Sequence, residues 1–219
     1  MKIGIIGAGN IGGNLTRRLT ALGHEVSVAN SRNPDTLAEL AAETGATAVM
    51  AAEAGTGADV LVVTIPLKAV PDLPDRLLAG AAPDVVVIDT CNYYPRQRDG
   101  RIAAIEDGMT ESRWVEQQLG VSVVKAFNGI YAEHLLTRGV PAATPGRIAL
   151  PVAGDDADAK DVVIGLVDSL GFDPVDGGGL DDSWRQQPGT PVYGSDLDAD
   201  GVKKALAEAG PERVPDFRG

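Results

Sequence analysis

Close to the start of this chain an apolar run ends abruptly in a glycine cluster: residues 2–13 read Lys-Ile-Gly-Ile-Ile-Gly-Ala-Gly-Asn-Ile-Gly-Gly. Residues 2–6 have the length and β-branched content of a buried strand, and residues 11–22 carry helical periodicity. Between them Gly7, Gly9 and Gly12 stand at G-x-G-x-x-G spacing. Alone that pattern is weak, but between a strand and a helix it describes a cradle for a dinucleotide diphosphate. In such a cradle Gly7 allows the tight turn, Gly9 lets the backbone approach the diphosphate, and Gly12 lets the helix pack closely on the strand. Asn10 and Ile11 then open the helix, whose free N–H groups and positive dipole end face the anion.

The rest of the chain repeats this alternation. Strands are expected at 25–29, 59–64, 84–89, 122–127, 149–153 and 172–175, and helices at 35–44, 73–79, 112–119, 132–138 and 157–170. Several strands are apolar throughout, as parallel strands covered on both faces are. Gly23, Gly45, Gly120, Gly139 and Gly171 sit where helices should stop, and Asn33-Pro34 reads as a cap followed by a first-turn proline. The pattern implies an α/β fold of Rossmann type: a doubly wound, mostly parallel sheet with helices on both faces. Residues 1–145 would form the nucleotide-binding domain. Residues 146–219 would be a smaller C-terminal extension, packed on the same sheet and serving the substrate side or a dimer contact. Beyond Gly177 the chain is rich in glycine and proline and reads as irregular around one short helix, 199–209.

A net charge of −12 argues against nucleic acid and anionic membranes as partners, since both need a basic face. It also requires that an anionic ligand be held by local cations and backbone amides. The single cysteine, Cys91, excludes an intrachain disulfide. With no secretory pattern and no apolar run of ~20 residues, the expectation is a soluble cytoplasmic protein.

The end of the second strand indicates which dinucleotide is bound. An NAD site usually places Asp or Glu there to hold the ribose hydroxyls. Here the sequence is Asn30-Ser31-Arg32-Asn33. Ser31 and Arg32 can donate to a 2′-phosphate, and guanidinium is the side chain best shaped for it. The reading is NADP(H).

With the loop, Asn30-Ser31-Arg32-Asn33-Pro34 and Val124-Lys125-Ala126-Phe127-Asn128 in view, residues 1–183 resemble the NADPH:F-420 oxidoreductases and the related NADPH-binding domains of metalloreductases. Leu150-Pro151-Val152-Ala153-Gly154-Asp155-Asp156 and Phe172-Asp173-Pro174-Val175-Asp176 add to that resemblance. It implies hydride transfer between NADP(H) and a flavin-type or 5-deazaflavin (F-420) ring, a step that is largely positioning. It also implies that Thr64, Ile65 and Pro66 touch the middle of the cofactor and that Ala126, Phe127 and Asn128 lie near the nicotinamide. A homodimer fits the resemblance and the frequency of symmetric pairs. The tail departs from the family, because residues 183–194 cannot form the apolar helix that the resemblance implies for the deazaflavin side. The small-molecule acceptor is therefore open among F-420, a flavin and a small carbonyl or imine compound. A non-catalytic NADP(H) sensor is the reading from another class.

Further candidates lie at the ligand edge. Asn92 follows the strand expected at 84–89 and could hydrogen-bond the ligand, whereas Cys91 lacks a nearby base and reads as a packed small residue. His134 could donate a proton, as could Tyr131, if the acceptor needs one; His24 reads as structural. Arg96, Arg98 and Arg101 read as a solvated loop or a landing site for an anionic tail. Trp184 and Tyr193, in a chain with 4% aromatics, are candidates for a substrate-side lid. Residues 196–201 imitate half a calcium loop, but Ala207 stands where its closing Glu should be, so Asp198 reads as a helix cap and no metal is expected.

Overall fold

The computed structural model describes residues 1–219. In chain order the elements are β1 (Lys2–Ile6), α1 (Asn10–Ala21), β2 (Glu25–Ala29), α2 (Ala38–Thr44), β3 (Thr47–Ala48), β4 (Val60–Val63) and β5 (Val86–Asp89). They continue with α3 (Ala103–Glu106), α4 (Glu111–Leu119), β6 (Val124–Lys125), α5 (Ala132–Thr137), β7 (Ala149–Val152), α6 (Ala157–Ser169), β8 (Asp173–Asp176) and α7 (Ala199–Glu208). The first six strands form one parallel sheet in the order β3-β2-β1-β4-β5-β6, the Rossmann order.

Strand periodicity explains both layers. Ile3, Ile5, Val60, Val62, Val86 and Ile88 point into the core beneath α1 and α6, while Leu61, Val63 and Val87 point into the opposite core with Trp114 and Val115 of α4. β4, Val-Leu-Val-Val, is buried at every position because both of its faces are covered. No helix is long and apolar enough to cross a membrane.

β7 and β8 form a separate parallel pair, crossed over by α6 and backed by α7 through Val202, Ala205 and Leu206. The pair joins the edge of the main sheet by one antiparallel bridge, in which the amides of Lys125 and Ala153 each donate to the other's carbonyl at 2.8 and 3.0 Å. Ile148, Leu150, Val152 and the α6 residues Val163, Leu166 and Val167 share the core beneath β1 and β5. The stretches 1–145 and 146–219 therefore meet through a common apolar layer as well as through the bridge.

Three local expectations change. The helix expected at 73–79 is absent: a 3₁₀ segment, Leu67–Asp72, comes first and turns follow, because Pro71 and Pro74 remove the N–H groups that α-helix needs. β3 is too short to announce itself in sequence. Gly139 is not a left-handed helix stop like Gly23, Gly45, Gly120 and Gly171; a Cβ there would lie 2.3 Å from the Leu170 carbonyl, so close packing requires it.

A buried ion pair ties β5 to β6. Lys125 Nζ lies 3.1 Å from Asp89 Oδ2, with side chains 1% and 0% exposed. Ser112 Oγ donates to the same carboxylate oxygen at 2.7 Å, the Cys91 amide donates to the other at 2.8 Å, and Lys125 Nζ also donates to the Cys91 carbonyl. Lys125→Met should strand the Asp89 carboxylate, at a cost of about 3–5 kcal/mol. Thermal unfolding should show this as a melting temperature lowered by about 10 °C, with part of the loss recovered in the Asp89→Asn/Lys125→Met double variant.

Candidate active site

All six strands of the main sheet point their C-terminal ends toward one edge, and the loops that leave them there build the site. The glycine loop sits centrally. The Gly7 amide donates to the Ala29 carbonyl at 2.8 Å, which fixes the turn against β2. Gly7 has φ 108°, and a Cβ there would lie 2.1 Å from the Thr64 carbonyl oxygen. A Cβ on Gly12 would lie 1.8 Å from the Gly7 carbonyl oxygen. Around Gly9 there is nothing within 4 Å. Two glycines are thus required by the protein's own packing, and the middle one leaves open space for a ligand. α1 begins behind Gly9 with no side-chain cap and no acidic residue in its first turn, so the amides at Asn10 and Ile11 face that space unopposed. The cradle fits a dinucleotide diphosphate.

Beyond β2 a groove of about 780 Å³ runs past Gly9, Asn10, Asn30, Ser31 and Arg32. Asn30 shapes its wall by accepting from the Arg32 amide at 2.8 Å and donating to Thr36 Oγ1 at 2.9 Å. Ser31 and Arg32 are exposed. Glu39, Glu43 and Glu133 also line the groove, a concentration of carboxylates that the local sequence around Arg32 did not suggest. Glu43 is held by a two-point contact from Arg17, at 2.7 Å for each bond, so one of these charges is locally matched.

On the other side of the glycine loop, Thr64 and Ile65 are half-buried against Gly7 and Pro66 is exposed. Next come the ends of β5 and β6. Asn128 Nδ2 donates to Asn92 Oδ1 at 3.1 Å and to the Gln186 carbonyl at 2.7 Å, while Gln186 Nε2 donates to Asn128 Oδ1 at 3.0 Å. Asn92 Nδ2 donates in turn to the Asn128 carbonyl at 2.9 Å and reaches Tyr193 Oη at 3.4 Å. Ala126 and Phe127 are buried in the core, so neither side chain is open to a ligand. Phe127 has φ 59°, an uncommon value for a side chain of its size, which turns the chain sharply at the start of this polar cluster.

Of the other candidates, Cys91 is buried, and burial together with the Asp89 carboxylate pushes its thiol well above the usual range, so it is a packed thiol. His134 lies on α5, bonded to Asp196 at 2.8 Å and edge-on to the Tyr131 ring. Arg98 is committed to Asp99 at 3.0 Å and lies over the Tyr94 ring, and Arg96 donates to the Arg218 carbonyl. Trp184 stacks with Arg185 and lines a different groove, near Arg113 and Arg213. Asp198 caps α7 through the Gly201 amide at 2.9 Å. Sequence reasoning missed Gln186, which nothing local distinguishes, and Lys125, whose charge inside an apolar strand was a usable signal.

Comparison with known proteins is consistent with this geometry. The family model described as NADP oxidoreductase, coenzyme F420-dependent, matches residues 2–93. A structure of the hypothetical protein SMa0349 from Sinorhizobium meliloti is 31% identical, covers 90% of this chain and 95% of its own, and superposes with a TM-score of 0.77. The chain belongs to the F420-dependent NADP oxidoreductase family. A proposed F420-dependent NADP-reductase from Arthrobacter sp. FB24 shares the fold, at 24% identity over 82% of this chain and 85% of its own, with a TM-score of 0.67. Protein YjhV of Escherichia coli (strain K12) is 45% identical over 77 residues, which span 34% of this oxidoreductase and 56% of YjhV. The family model stops at Tyr93, before Asn128 and the tail that meets it.

The glycine geometry separates folding from binding. Gly9→Ala should keep the ligand-free melting temperature within about 3 °C, yet weaken NADPH at least about tenfold, or 1.4 kcal/mol, because its methyl group takes the ligand's space. Gly12→Ala should instead lower the melting temperature by about 10 °C. Differential scanning fluorimetry and a fluorescence titration with NADPH distinguish the two.

Proposed function

We propose that this oxidoreductase moves hydride between NADP(H) and a flavin-type or 5-deazaflavin ring that is bound beside Asn92 and Asn128. The observation that carries the reading is the open shelf at Gly9, set between a groove ending in Ser31-Arg32 and a polar cluster over β5 and β6. The α1 N-terminus would hold the diphosphate, Ser31 and Arg32 the 2′-phosphate, and Thr64–Pro66 the middle of the cofactor. When bound, NADPH supplies the hydride. The chain's own task is to align two rings and exclude water, which needs no acid–base dyad. Family membership supports the NADP half of the reading, and the flavin-type acceptor rests on the family's chemistry.

The test mixes pure protein with NADPH and follows the nicotinamide absorbance on adding F-420, FMN or FAD. Oxidation with at least one of them is expected; none with any of the three would refute the proposal. Arg32→Ala should weaken NADPH about 10–100-fold, the value of a charge-assisted phosphate contact, and leave NADH within about twofold. Equal losses for the two cofactors would exclude a 2′-phosphate contact at Arg32.

A further inference from the structure

Aromatic side chains are rare here, with three Phe, two Trp and four Tyr, yet two tyrosines meet at the acceptor end of the site. Tyr94 Oη and Tyr193 Oη are hydrogen-bonded to each other, and Asn92 Nδ2 donates to Tyr193 Oη at 3.4 Å. Tyr94 follows Asn92 in the loop after β5. Tyr193 comes from the tail, where the Gly194 amide anchors it by donating to the Gly129 carbonyl at 2.9 Å. Both residues are half-buried.

A pair of hydroxyls has two hydrogens and uses only one between them. Asn92 approaches Tyr193 as a donor, so it takes neither. No other protein group accepts from Tyr94 Oη or Tyr193 Oη. One hydroxyl hydrogen is therefore left over beside Asn92, beyond the C-terminal end of β5, on the side where the second half of a dinucleotide lies in this strand order.

We propose that the Tyr94–Tyr193 pair is the acceptor-binding donor of this enzyme, giving its spare hydrogen to a carbonyl oxygen conjugated to the atom that receives hydride. This rests on the hydride-transfer reading above. Such an oxygen is common to the ring carbonyls of flavins and deazaflavins and to a small conjugated ketone. Hydride brings an electron pair to the acceptor, the charge collects on the conjugated oxygen, the tyrosine hydroxyl stabilises it there, and water supplies the proton that completes the reduction. Burial, with Tyr94 and the Glu111 carboxylate nearby, pushes the Tyr193 hydroxyl well above its usual range, against the smaller pull of Arg98. It thus stays protonated as a hydrogen-bond donor. The Arg98 guanidinium lies 5.0 Å from the centre of the Tyr94 ring and holds that ring in place.

Because either tyrosine alone keeps a hydrogen to donate, the informative variant is Tyr94→Phe/Tyr193→Phe, which preserves both rings. Three readouts apply: NADP⁺ affinity from tryptophan quenching, affinity of oxidised FMN, F-420 or a conjugated aryl ketone for the protein–NADP⁺ complex, and the single-turnover rate with NADPH. The double variant should bind NADP⁺ within about twofold of the parent, bind the acceptor about tenfold more weakly, and transfer hydride about 100-fold more slowly. Each single variant should lose less than the double. A loss confined to FMN and F-420 identifies a flavin-type ring, and one confined to the ketone identifies a small carbonyl substrate. Parental acceptor affinity and rate in the double variant would overturn the proposal, as would parental protein that binds none of the three acceptors. If the parent binds an acceptor but never oxidises NADPH, and the double variant loses that binding, the hydride reading fails while the donor pair stands.

Discussion

An ammonium group and a carboxylate withdrawn from water would each carry a desolvation cost of several kcal/mol if left alone. Lys125 and Asp89 meet at 3.1 Å with essentially no exposure, and each has further partners, so neither is left alone. A well-packed apolar pair could serve stability as well. What an apolar pair could not do is hold backbone. Asp89 fixes the Cys91 amide and Lys125 fixes the Cys91 carbonyl, so the peptide units that flank Cys91 are clamped from both ends. Asn92 is the next residue, and Asn92 positions Asn128 and Tyr193. The polar cluster at the crevice thus depends on a charge pair buried one layer beneath it.

The glycine loop solves a related problem with sterics instead of charge. Gly7 and Gly12 are dictated by contacts inside the protein, since a Cβ at either would run into backbone. Gly9 is dictated by nothing in the protein, which is why it can serve a ligand. The α1 N-terminus supplies attraction, and the overall charge of −12 makes that local attraction necessary, because the long-range field of the chain repels a dinucleotide. Glu39 and Glu133 add to that repulsion in the groove that Arg32 lines.

Much of this was legible in the sequence because the cofactor half is built from neighbours. β1 and β2 appear at their expected residues, since strand, glycine turn and helix follow one another within a short stretch and obey local rules of periodicity and capping. Asn33 caps the turn at Pro34 as its chemistry predicts, accepting from the Asp35 amide at 2.9 Å. The failures also have local causes. Residues 73–79 carry an apolar pattern that proline overrides. In the segment expected as strand 122–127, only Val124–Lys125 pairs as strand, because Phe127 turns away at φ 59°.

The tail side of the site was legible only as separate candidates, Asn92, Asn128 and Tyr193, for the opposite reason: its contacts join residues far apart in the chain. Gln186 reaches Asn128 across 58 positions, and Tyr193 reaches Asn92 across 101. No window of sequence contains such a pair. Its anchors are also largely indifferent to side-chain identity, since the Gly194 amide meets the Gly129 carbonyl and Asn128 meets the Gln186 carbonyl. A segment held by its backbone can exchange side chains without losing its place. The glycine cradle has no such freedom, because its spacing is enforced by contacts at 1.8 and 2.1 Å that any added Cβ would make. Residues 184–194 can therefore change side chains more freely than the glycine cradle can.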